Sequence, residues 1–364
     1  MRRLLMAALV FSLIGPWSAA VRAADAVAPS PTDDALPYAP DAIPRSQYKP
    51  PDDDGMSQPL MPAATKKDYF VAIYGGSTVG VYYYVASAIC RAMSKSFSQH
   101  HIHCVPLRSL GVASNVGLMQ QGRAQFIIVQ SDTNYYASVG KVNLPGGQSV
   151  MSLHNELGVM AVHPESNIYK PADLRGKRVN LGSEGTASRG LWLEFLAAQG
   201  LQIGDLARAF AVTQEYNVMG LCGNYIDAYG LWIGHPAAAL GGAIEQCNAR
   251  LVGMWSPGTA KLVDERKFYF RGEVPANTYP GQNDPIVSYG FKASLVAYSK
   301  VNPYLVYWLT RSVIENIDTF RHAHPALTAV TPREMFEKGN FLPFHAGAAR
   351  YWREIGWLGE KALN

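Results

Sequence analysis

Two short segments rich in glycine and hydroxyl side chains are the first candidates for chemistry in this chain. YGGSTVGVYYY begins at Tyr74, and GSEGTAS runs from Gly182 to Ser188. Each lies between a predicted strand and a predicted helix, so each presents free backbone N–H groups and hydroxyls at a helix N-terminus, where hydrogen bonds and the dipole favour a carboxylate. We predict two halves of a small-anion site on either side of a cleft. Two ordinary capped turns are the alternative.

The first segment fits neither a common nucleotide-binding loop nor the loop of a serine hydrolase. A phosphate-binding loop needs lysine where the chain has Val81, and the dinucleotide motif needs glycine where it has Ser77. The nucleophile elbow of hydrolases needs a final glycine, but the chain has Val79, and no Asp and His can be assigned as partners. We therefore predict no catalytic residue and no cofactor.

Other polar side chains follow the apolar run FIIV. Gln130, Ser131 and Asp132 stand at the carboxyl end of a predicted strand, which is where ligands bind in open α/β sheets. Asp132 is also a good helix start, so a capped turn is the alternative. Among the three consecutive tyrosines, Tyr82 or Tyr83 is expected to line the cleft, because successive helical residues are about 100° apart.

The histidine cluster HHIHC, from His100 to Cys104, raises the question of a zinc site. Alternation along a strand places His101 and His103 on one face, but a fourth ligand is not evident. We predict no metal. His235 and His345 fit turn or interface positions better than catalytic ones.

Alternating strands and helices position these groups from Tyr69 onward. YFVAIYG, IHCVPL and AQFIIVQ have the pattern of strands, and the segments between them have the pattern of helices. A second alternating block begins near ELGVMAVH, and the last third is rich in helices after one more apolar strand. This order predicts parallel βαβ units in two lobes, with the chain returning to the first lobe after building the second.

The first 67 residues differ in composition from the rest. Residues 1–23 begin with Arg2 and Arg3 and continue with a short apolar stretch and small residues, which is the pattern of a secretory signal peptide. Residues 24–67 hold nine prolines and almost no periodic apolar pattern, which predicts a disordered leader. We expect the mature protein in the periplasm.

The charge of the chain excludes some classes of partner. Removal of residues 1–23 takes away three arginines and lowers the formal net charge from +4 to +1. Such a balance provides no electrostatic footprint for nucleic acid or for an anionic membrane surface.

Four cysteines, Cys90, Cys104, Cys222 and Cys247, allow three disulfide connectivities in an oxidising compartment. Pairing the first with the second and the third with the fourth keeps each bridge inside one lobe. Four buried thiols are the alternative. No CxxC spacing suggests a metal site.

Seven motifs follow one another in an order typical of one known family. They are YGGSTVGVYY, SLGVASN, AQFIIVQSDTNYYA, DLRGKRVNLGSEGTAS, IDAYGLWIGHP, NTYPGQNDP and FHAGAARYWREIGW. The set resembles the TAXI family, the extracytoplasmic solute receptors of TRAP transporters. The resemblance implies an α/β, type II-like periplasmic binding protein, with a ligand cleft between two lobes that are each a mostly parallel sheet with flanking helices. Lobe I would comprise 68–158 plus 284–364, and lobe II 159–283.

The resemblance also implies a function. Receptors of this kind close on a small carboxylated solute, such as glutamate or another amino acid, a dicarboxylate or a keto acid, and deliver it to the membrane subunits of the transporter. We expect a monomer without catalytic activity, and His235 near the cleft. By resemblance, the ligand contacts are Gly75, Gly76, Ser77, Thr78, Tyr82, Tyr83, Ser109, Gln130, Ser131, Glu184, Gly185, Thr186, Ala187, Ser188 and Trp232.

Three residues depart from the family pattern. Val112 stands where the family often has serine, and Glu184 and Ala187 stand where the second turn commonly reads GxPGSGT. A carboxylate at position 184 would repel a dicarboxylate but could pair with the ammonium of an amino acid; alternatively, it points to solvent.

A sensor or scaffold protein, or a periplasmic enzyme that uses Ser77 and Glu184, is the alternative function.

Overall fold

A computed structural model describes residues 68–78 and 80–359 of the chain. The signal peptide predicted over 1–23 and the leader predicted over 24–67 lie outside the described residues. In the described part, no helix is long and apolar enough to cross a membrane.

The described residues form ten strands and twelve α-helices. The strands are β1 (Tyr69–Tyr74), β2 (Ile102–Leu107), β3 (Phe126–Gln130), β4 (Gly147–Val162), β5 (Arg178–Asn180), β6 (Arg208–Phe210), β7 (Ala228–Ile233), β8 (Arg250–Gly253), β9 (Phe270–Val274) and β10 (Ile286–Tyr298). The helices are α1 (Tyr82–Lys95), α2 (Phe97–His100), α3 (Val112–Gln120), α4 (Ser131–Ser138), α5 (Ala187–Ala198), α6 (Asn217–Cys222), α7 (Ala238–Cys247), α8 (Pro257–Glu265), α9 (Pro303–Glu315), α10 (Ile317–Arg321), α11 (Pro332–Glu337) and α12 (Ala346–Glu354).

Helix α1 shows how the sequence pattern produces these elements. Its buried residues include Tyr82, Val85, Ala86, Ile89 and Met93, which recur at the three- and four-residue spacing of one helix face. That face packs on the sheet because burying it removes apolar surface from water. The helix expected after the first glycine segment is therefore confirmed.

The sheet confirms the α/β fold and adds a connection that the sequence did not predict. Its strand order is β2-β1-β3-β10-β4-β7-β5-β6, with β8 paired to β4 and β9 to β10. Strands β2, β1 and β3 run parallel at one end, and β7, β5 and β6 run parallel at the other. The two parallel groups belong to one hydrogen-bonded sheet, because the antiparallel pair β10 and β4 joins them.

Strand β4 is about twice as long as the strand expected near ELGVMAVH, since it begins at Gly147 and has 16 residues. Its first part pairs with β10, and its last part pairs with β7 on one edge and β8 on the other. The predicted boundary between residues 158 and 159 falls inside this strand, and the second boundary lies just before β10. Assignment of residues to two lobes stays a prediction.

Both expected disulfides are present in the structure. Cys90 in α1 is bonded to Cys104 in β2, and Cys222 at the end of α6 is bonded to Cys247 at the end of α7. Each bridge ties together two elements that are close in sequence, which restricts the unfolded chain. The alternative of four thiols is wrong.

Candidate functional site

The first glycine turn, after β1, is held by close packing and by side-chain hydrogen bonds. A Cβ atom at Gly75 would lie 2.6 Å from the carbonyl oxygen of Tyr82, so only glycine allows this approach. The Gly75 carbonyl accepts hydrogen bonds from Ser109 Oγ at 3.2 Å and from Asn115 Nδ2 at 2.7 Å. The backbone of Ser109 donates to Gly76 O. Ser109 therefore holds the turn through both its side chain and its backbone.

Asn115 is a residue of this site that the sequence reasoning missed. Its side chain is fully buried, and Nδ2 lies within hydrogen-bond distance of carbonyl oxygens of Tyr74, Gly75 and Ile128. It thereby connects the end of β1 to β3. The only signal was its place in the motif SLGVASN, which gave it no role.

The hydroxyls of the first turn do not cap α1. The helix begins at Tyr82, and Val81, whose side chain cannot accept a hydrogen bond, takes the N-cap position. Ser77 is half-buried and Thr78 exposed, and both precede the helix by several residues. The first backbone N–H groups of α1 thus have no side-chain acceptor at the cap, so the capped-turn alternative does not describe this segment.

The three consecutive tyrosines have different environments. Tyr82 is buried, and its hydroxyl donates to Glu156 Oε2 at 2.7 Å. Tyr83 is half-buried, whereas Tyr84 is 41% exposed, stacks on His324 and donates to Thr78 O. Of the two tyrosines predicted to contact ligand, Tyr82 is the one that reaches the long central strands.

Two buried titratable side chains on β4, Glu156 and His154, were also missed by the sequence reasoning. Glu156 is 3% exposed, and its burial, together with the nearby Asp132, raises its pKa to about 8. His154 is fully buried, and burial lowers its pKa to about 3, so its ring is neutral at pH 7. Glu156 is the first residue of the predicted strand ELGVMAVH, whereas His154 lies in the preceding polar segment, which was not predicted as a strand.

The polar residues at the end of β3 have different roles in the structure. Gln130 is buried at the last position of the strand, and Ser131 Oγ accepts a hydrogen bond from the backbone of Lys292 on β10. Asp132, in the first turn of α4, accepts from its neighbour Thr133, and burial raises its pKa to about 6. Ser131 thus connects the end of β3 to β10, and Asp132 is the residue of this segment whose pKa is shifted.

The second glycine turn, after β5, is a capped turn. Gly182 and Gly185 adopt φ values of +84° and +75°, which favour glycine. Thr186 takes the N-cap position of α5 and accepts a hydrogen bond from the backbone of Arg189. Ala187 and Ser188 form the first turn of the helix and are half-buried. Here the capped-turn alternative is correct for the local structure.

Arg189 is a cation at this turn that the sequence reasoning missed. Its side chain is 17% exposed, Nη1 donates to Gly182 O at 3.3 Å, and Nη2 lies 3.9 Å from Glu184 Oε1. Glu184 itself is 83% exposed, so the alternative in which it points to solvent is correct. A guanidinium beside the N-terminus of α5 strengthens the anion-favouring character of the turn.

Trp232 lies in a buried aromatic group rather than on an open surface. It is 6% exposed, and its ring lies 6.0 Å from Trp192 of α5 and 6.1 Å from Tyr289 of β10, both edge to face. Gly158 stands opposite it on β4, where a Cβ atom would lie 2.7 Å from Trp232 Nε1. This packing connects α5, and hence the second turn, to the two central strands.

The histidines outside β4 have local roles. His235 bonds Tyr279 Oη at 2.6 Å and Leu157 O at 3.0 Å, and burial lowers its pKa to about 4. His101 is exposed, and His103 lies 3.2 Å from Asp68. Among the described residues, no group of three or more His, Cys, Asp or Glu side chains is arranged to hold a metal ion.

The predicted site residues therefore form two sets. Ser109 and Asn115 hold the first turn, Tyr82 links it to β4, and Gln130 ends the neighbouring strand β3. The second turn belongs to β5 and α5, and reaches the central strands through the tryptophan contact. Both sets lie at the carboxyl ends of parallel strands, one on each side of the β4–β10 pair.

The chain is similar to solved structures of binding proteins and to one sequence family. It aligns with the aliphatic sulphonate binding protein SsuA from Escherichia coli at 11% identity, covering 81% of this chain and 90% of that chain, with a TM-score of 0.45. A binding protein component of an ABC phosphonate transporter from Pseudomonas aeruginosa aligns at 9% identity, covering 72% and 80%, also with a TM-score of 0.45. The family model matches residues 73–356. The chain belongs to the NMT1-like family.

Proposed function

We propose that this protein is a periplasmic receptor that captures a small carboxylated solute and delivers it to the membrane subunits of a TRAP transporter. The observation that carries the proposal is the position of the two glycine turns. Each follows a parallel strand, and the two lie on opposite sides of the β4–β10 pair. Two long strands that join two groups of elements can bend, so hinge closure would bring the turns toward a shared ligand.

The chemistry at the turns supports an acidic ligand. The N-terminus of α1 has no side-chain cap, so its backbone N–H groups can bind an anion. At the second turn, the half-buried Arg189 guanidinium lies beside the N-terminus of α5. A carboxylate is favoured by both arrangements, since each places hydrogen-bond donors and partial or full positive charge together.

The proposal also includes the cellular location of the protein and its partner subunits. The predicted signal peptide over 1–23 supports export, and a receptor of this kind works as a monomer beside its membrane subunits. The class of transporter rests on the motif resemblance to the TAXI family.

Thermal unfolding with a panel of small acids tests the proposal. The panel consists of amino acids, dicarboxylates and keto acids, with one sulfonate and one phosphonate to identify a different acid group. A ligand at a hundredfold excess over Kd stabilises the folded protein by about 2.7 kcal/mol, which is a clear shift in Tm. If no carboxylate shifts Tm, and a sulfonate or phosphonate does, the solute class is wrong.

A matched pair of variants tests the anion site. Arg189→Gln is expected to weaken the binding of the active acid about tenfold or more, because it removes a charged hydrogen-bond donor. Arg123→Gln changes an exposed arginine on the α3–β3 connection and should leave binding unchanged. Equal affinity in both variants would show that the acid binds elsewhere.

A further inference from the structure

A cavity of about 720 Å³ lies beside strand β8, and none of its lining residues belongs to either glycine turn. Residues 250–253 of β8 line it, together with a first wall formed by residues 169–171 and a second wall formed by residues 280–287. Its volume falls in the range of about 300–1,000 Å³ that is typical of small-molecule sites. None of these residues was predicted to contact ligand, so the cavity is a second candidate site.

Both walls are fixed by side-chain hydrogen bonds within the protein. In the first wall, the carboxylate of Asp173 accepts hydrogen bonds from the backbone N–H groups of Tyr169 at 2.9 Å and Lys170 at 3.1 Å. In the second wall, Gln282 Nε2 donates to the carbonyl oxygen of Asp284 at 2.7 Å. The cavity therefore keeps its shape without a ligand, which lowers the cost of binding.

Arg250 contributes a cation with which no carboxylate among the described residues forms an ion pair. Its guanidinium carbon lies 4.3 Å from the centre of the Tyr169 ring, and Nη2 is buried without a hydrogen-bond acceptor in the part of the chain that the structure describes. Asp284 is the acidic residue among those lining the cavity, and it is exposed. Because arginine stays charged and buried donors are normally satisfied, this guanidinium calls for an anionic acceptor from a ligand.

The outer edge of β8 adds backbone donors to the same cavity. Among the described strands, β8 pairs only with β4, and the pairing is antiparallel. In an antiparallel pair, alternate residues direct their N–H and C=O groups away from the partner strand, and residues 250–253 form no further backbone hydrogen bond within the described ranges. Such free N–H groups of an edge strand can bind an acid oxygen beside Arg250.

The rest of the lining is mainly apolar. It includes Leu251, Trp255, Pro285 and Ile286. The indole of Trp255 is held in place by the guanidinium of Arg271, whose carbon lies 5.4 Å from the ring centre. An apolar surface beside one cationic group favours an occupant with an acid group at one end and an apolar body at the other.

We propose that the cavity beside β8 binds an organic acid with an apolar body. The acid group bonds the Arg250 guanidinium, which can hold a carboxylate through two N–H donors, and the apolar body packs against Leu251 and Trp255. Lys170, exposed in the first wall, adds a second positive charge to the lining. This site goes beyond the proposed function, because it shares no residue with the glycine turns on which the receptor proposal rests.

Hexanoate and 1-hexanol are matched probes, because they share an apolar chain and differ in the acid group. Each is titrated into the folded mature protein with nitrogen-15-labelled tryptophan, and the indole N–H signal of Trp255, identified by its loss in Trp255→Phe, reports on the cavity. Hexanoate should shift this signal and bind about tenfold more tightly than hexanol, because only the carboxylate accepts charged hydrogen bonds. Inorganic phosphate has the charge without the apolar chain and should bind at least about tenfold more weakly than hexanoate.

Variants separate the cavity from the second glycine turn. Arg250→Gln should weaken hexanoate binding at Trp255 about tenfold or more, whereas Arg123→Gln, at an exposed position, and Arg189→Gln, at the second turn, should leave it unchanged. Arg250→Lys keeps the charge but loses the planar pair of donors, so its affinity should be intermediate. The comparison of hexanoate with hexanol uses the wild-type protein, so it tests the site even where a substitution impairs folding.

Each contrary result has a definite meaning. An unmoved Trp255 signal with hexanoate, or equal binding of hexanol, would overturn the acid site. Phosphate that binds as tightly as hexanoate would overturn the assignment to an organic acid. A shift that is lost in Arg189→Gln but kept in Arg250→Gln would mean that the acid binds at the glycine turn instead. The receptor proposal is tested separately, through the Tm shift by its own panel of acids, so the two can fail independently.

Discussion

Replacing the buried carboxyl of Glu156 by an amide should change how stability depends on pH. The folded protein holds Glu156 at a pKa of about 8, against an ordinary value of 4.5. A carboxyl whose pKa is raised on folding contributes stability below its unfolded pKa and loses that contribution as pH rises through the folded pKa. Glu156→Gln removes the titration, while its amide oxygen can still accept the hydrogen bond from Tyr82.

The size of the effect follows from the two pKa values. Between pH 4.5 and pH 7 the unfolded carboxyl ionises while the folded one stays mostly protonated, and each pH unit corresponds to about 1.4 kcal/mol. Glu156 should therefore lower the free energy of unfolding by about 3 kcal/mol on going from pH 4 to pH 7. The amide nitrogen of the variant would replace the oxygen that lies 4.0 Å from His154 Nε2, and the cost of placing it there is the same across this pH range.

Denaturant unfolding of wild type and Glu156→Gln from pH 4 to pH 8 measures the difference. The stability of the variant relative to wild type should rise with pH by about 3 kcal/mol up to pH 7 and level off above pH 8. Glu245→Gln, at an exposed position of α7, serves as control and should track wild type. Parallel curves for Glu156→Gln and wild type would refute the reasoning, because they would mean that the carboxyl ionises normally in the folded protein.

Three further substitutions test individual contacts. Gly75→Ala should lower the free energy of unfolding by about 2 kcal/mol in denaturant titrations, because the added Cβ would lie against the Tyr82 carbonyl; unchanged stability would show that the turn can shift. Thr186→Ala should cost about 1 kcal/mol through loss of the α5 cap, and Thr186→Ser little, so equal losses would exclude the capping role. Replacing Cys222 and Cys247 by serine should lower Tm, since opening a loop of this separation costs about 3 kcal/mol; a Tm equal to that of wild type would contradict it.

The α/β class and the capped form of the second glycine turn could be predicted because they depend on neighbours in sequence. The spacing of apolar residues in α1 reports one buried face, and Thr186 caps a helix whose N–H groups lie within three residues of it. The disulfide pairs also join cysteines only 14 and 25 residues apart. The strand and helix pattern and the cap are encoded locally, so a single sequence is enough to find them, whereas the choice among three disulfide connectivities and four thiols needed the structure.

The extent of β4 could not be predicted in the same way. Its first half, GQSVMSLHN, contains polar residues and has no strict alternation, so it does not have the pattern of a strand. It is a strand because β10, more than 130 residues later, supplies hydrogen bonds along its edge. Pairing across that separation depends on the tertiary fold, which overrides local propensity.

By itself, the sequence determined the alternation of strands and helices and the glycine turns between them, because both are set by local spacing and backbone chemistry. Only the tertiary structure decided which polar groups are buried and have shifted pKa values. Tyr82 and Glu156 are 74 residues apart and meet through packing, and Glu184 faces solvent while Arg189 stays half-buried beside it. A pKa depends on burial and on neighbouring charge, and both exist only once distant segments have folded together.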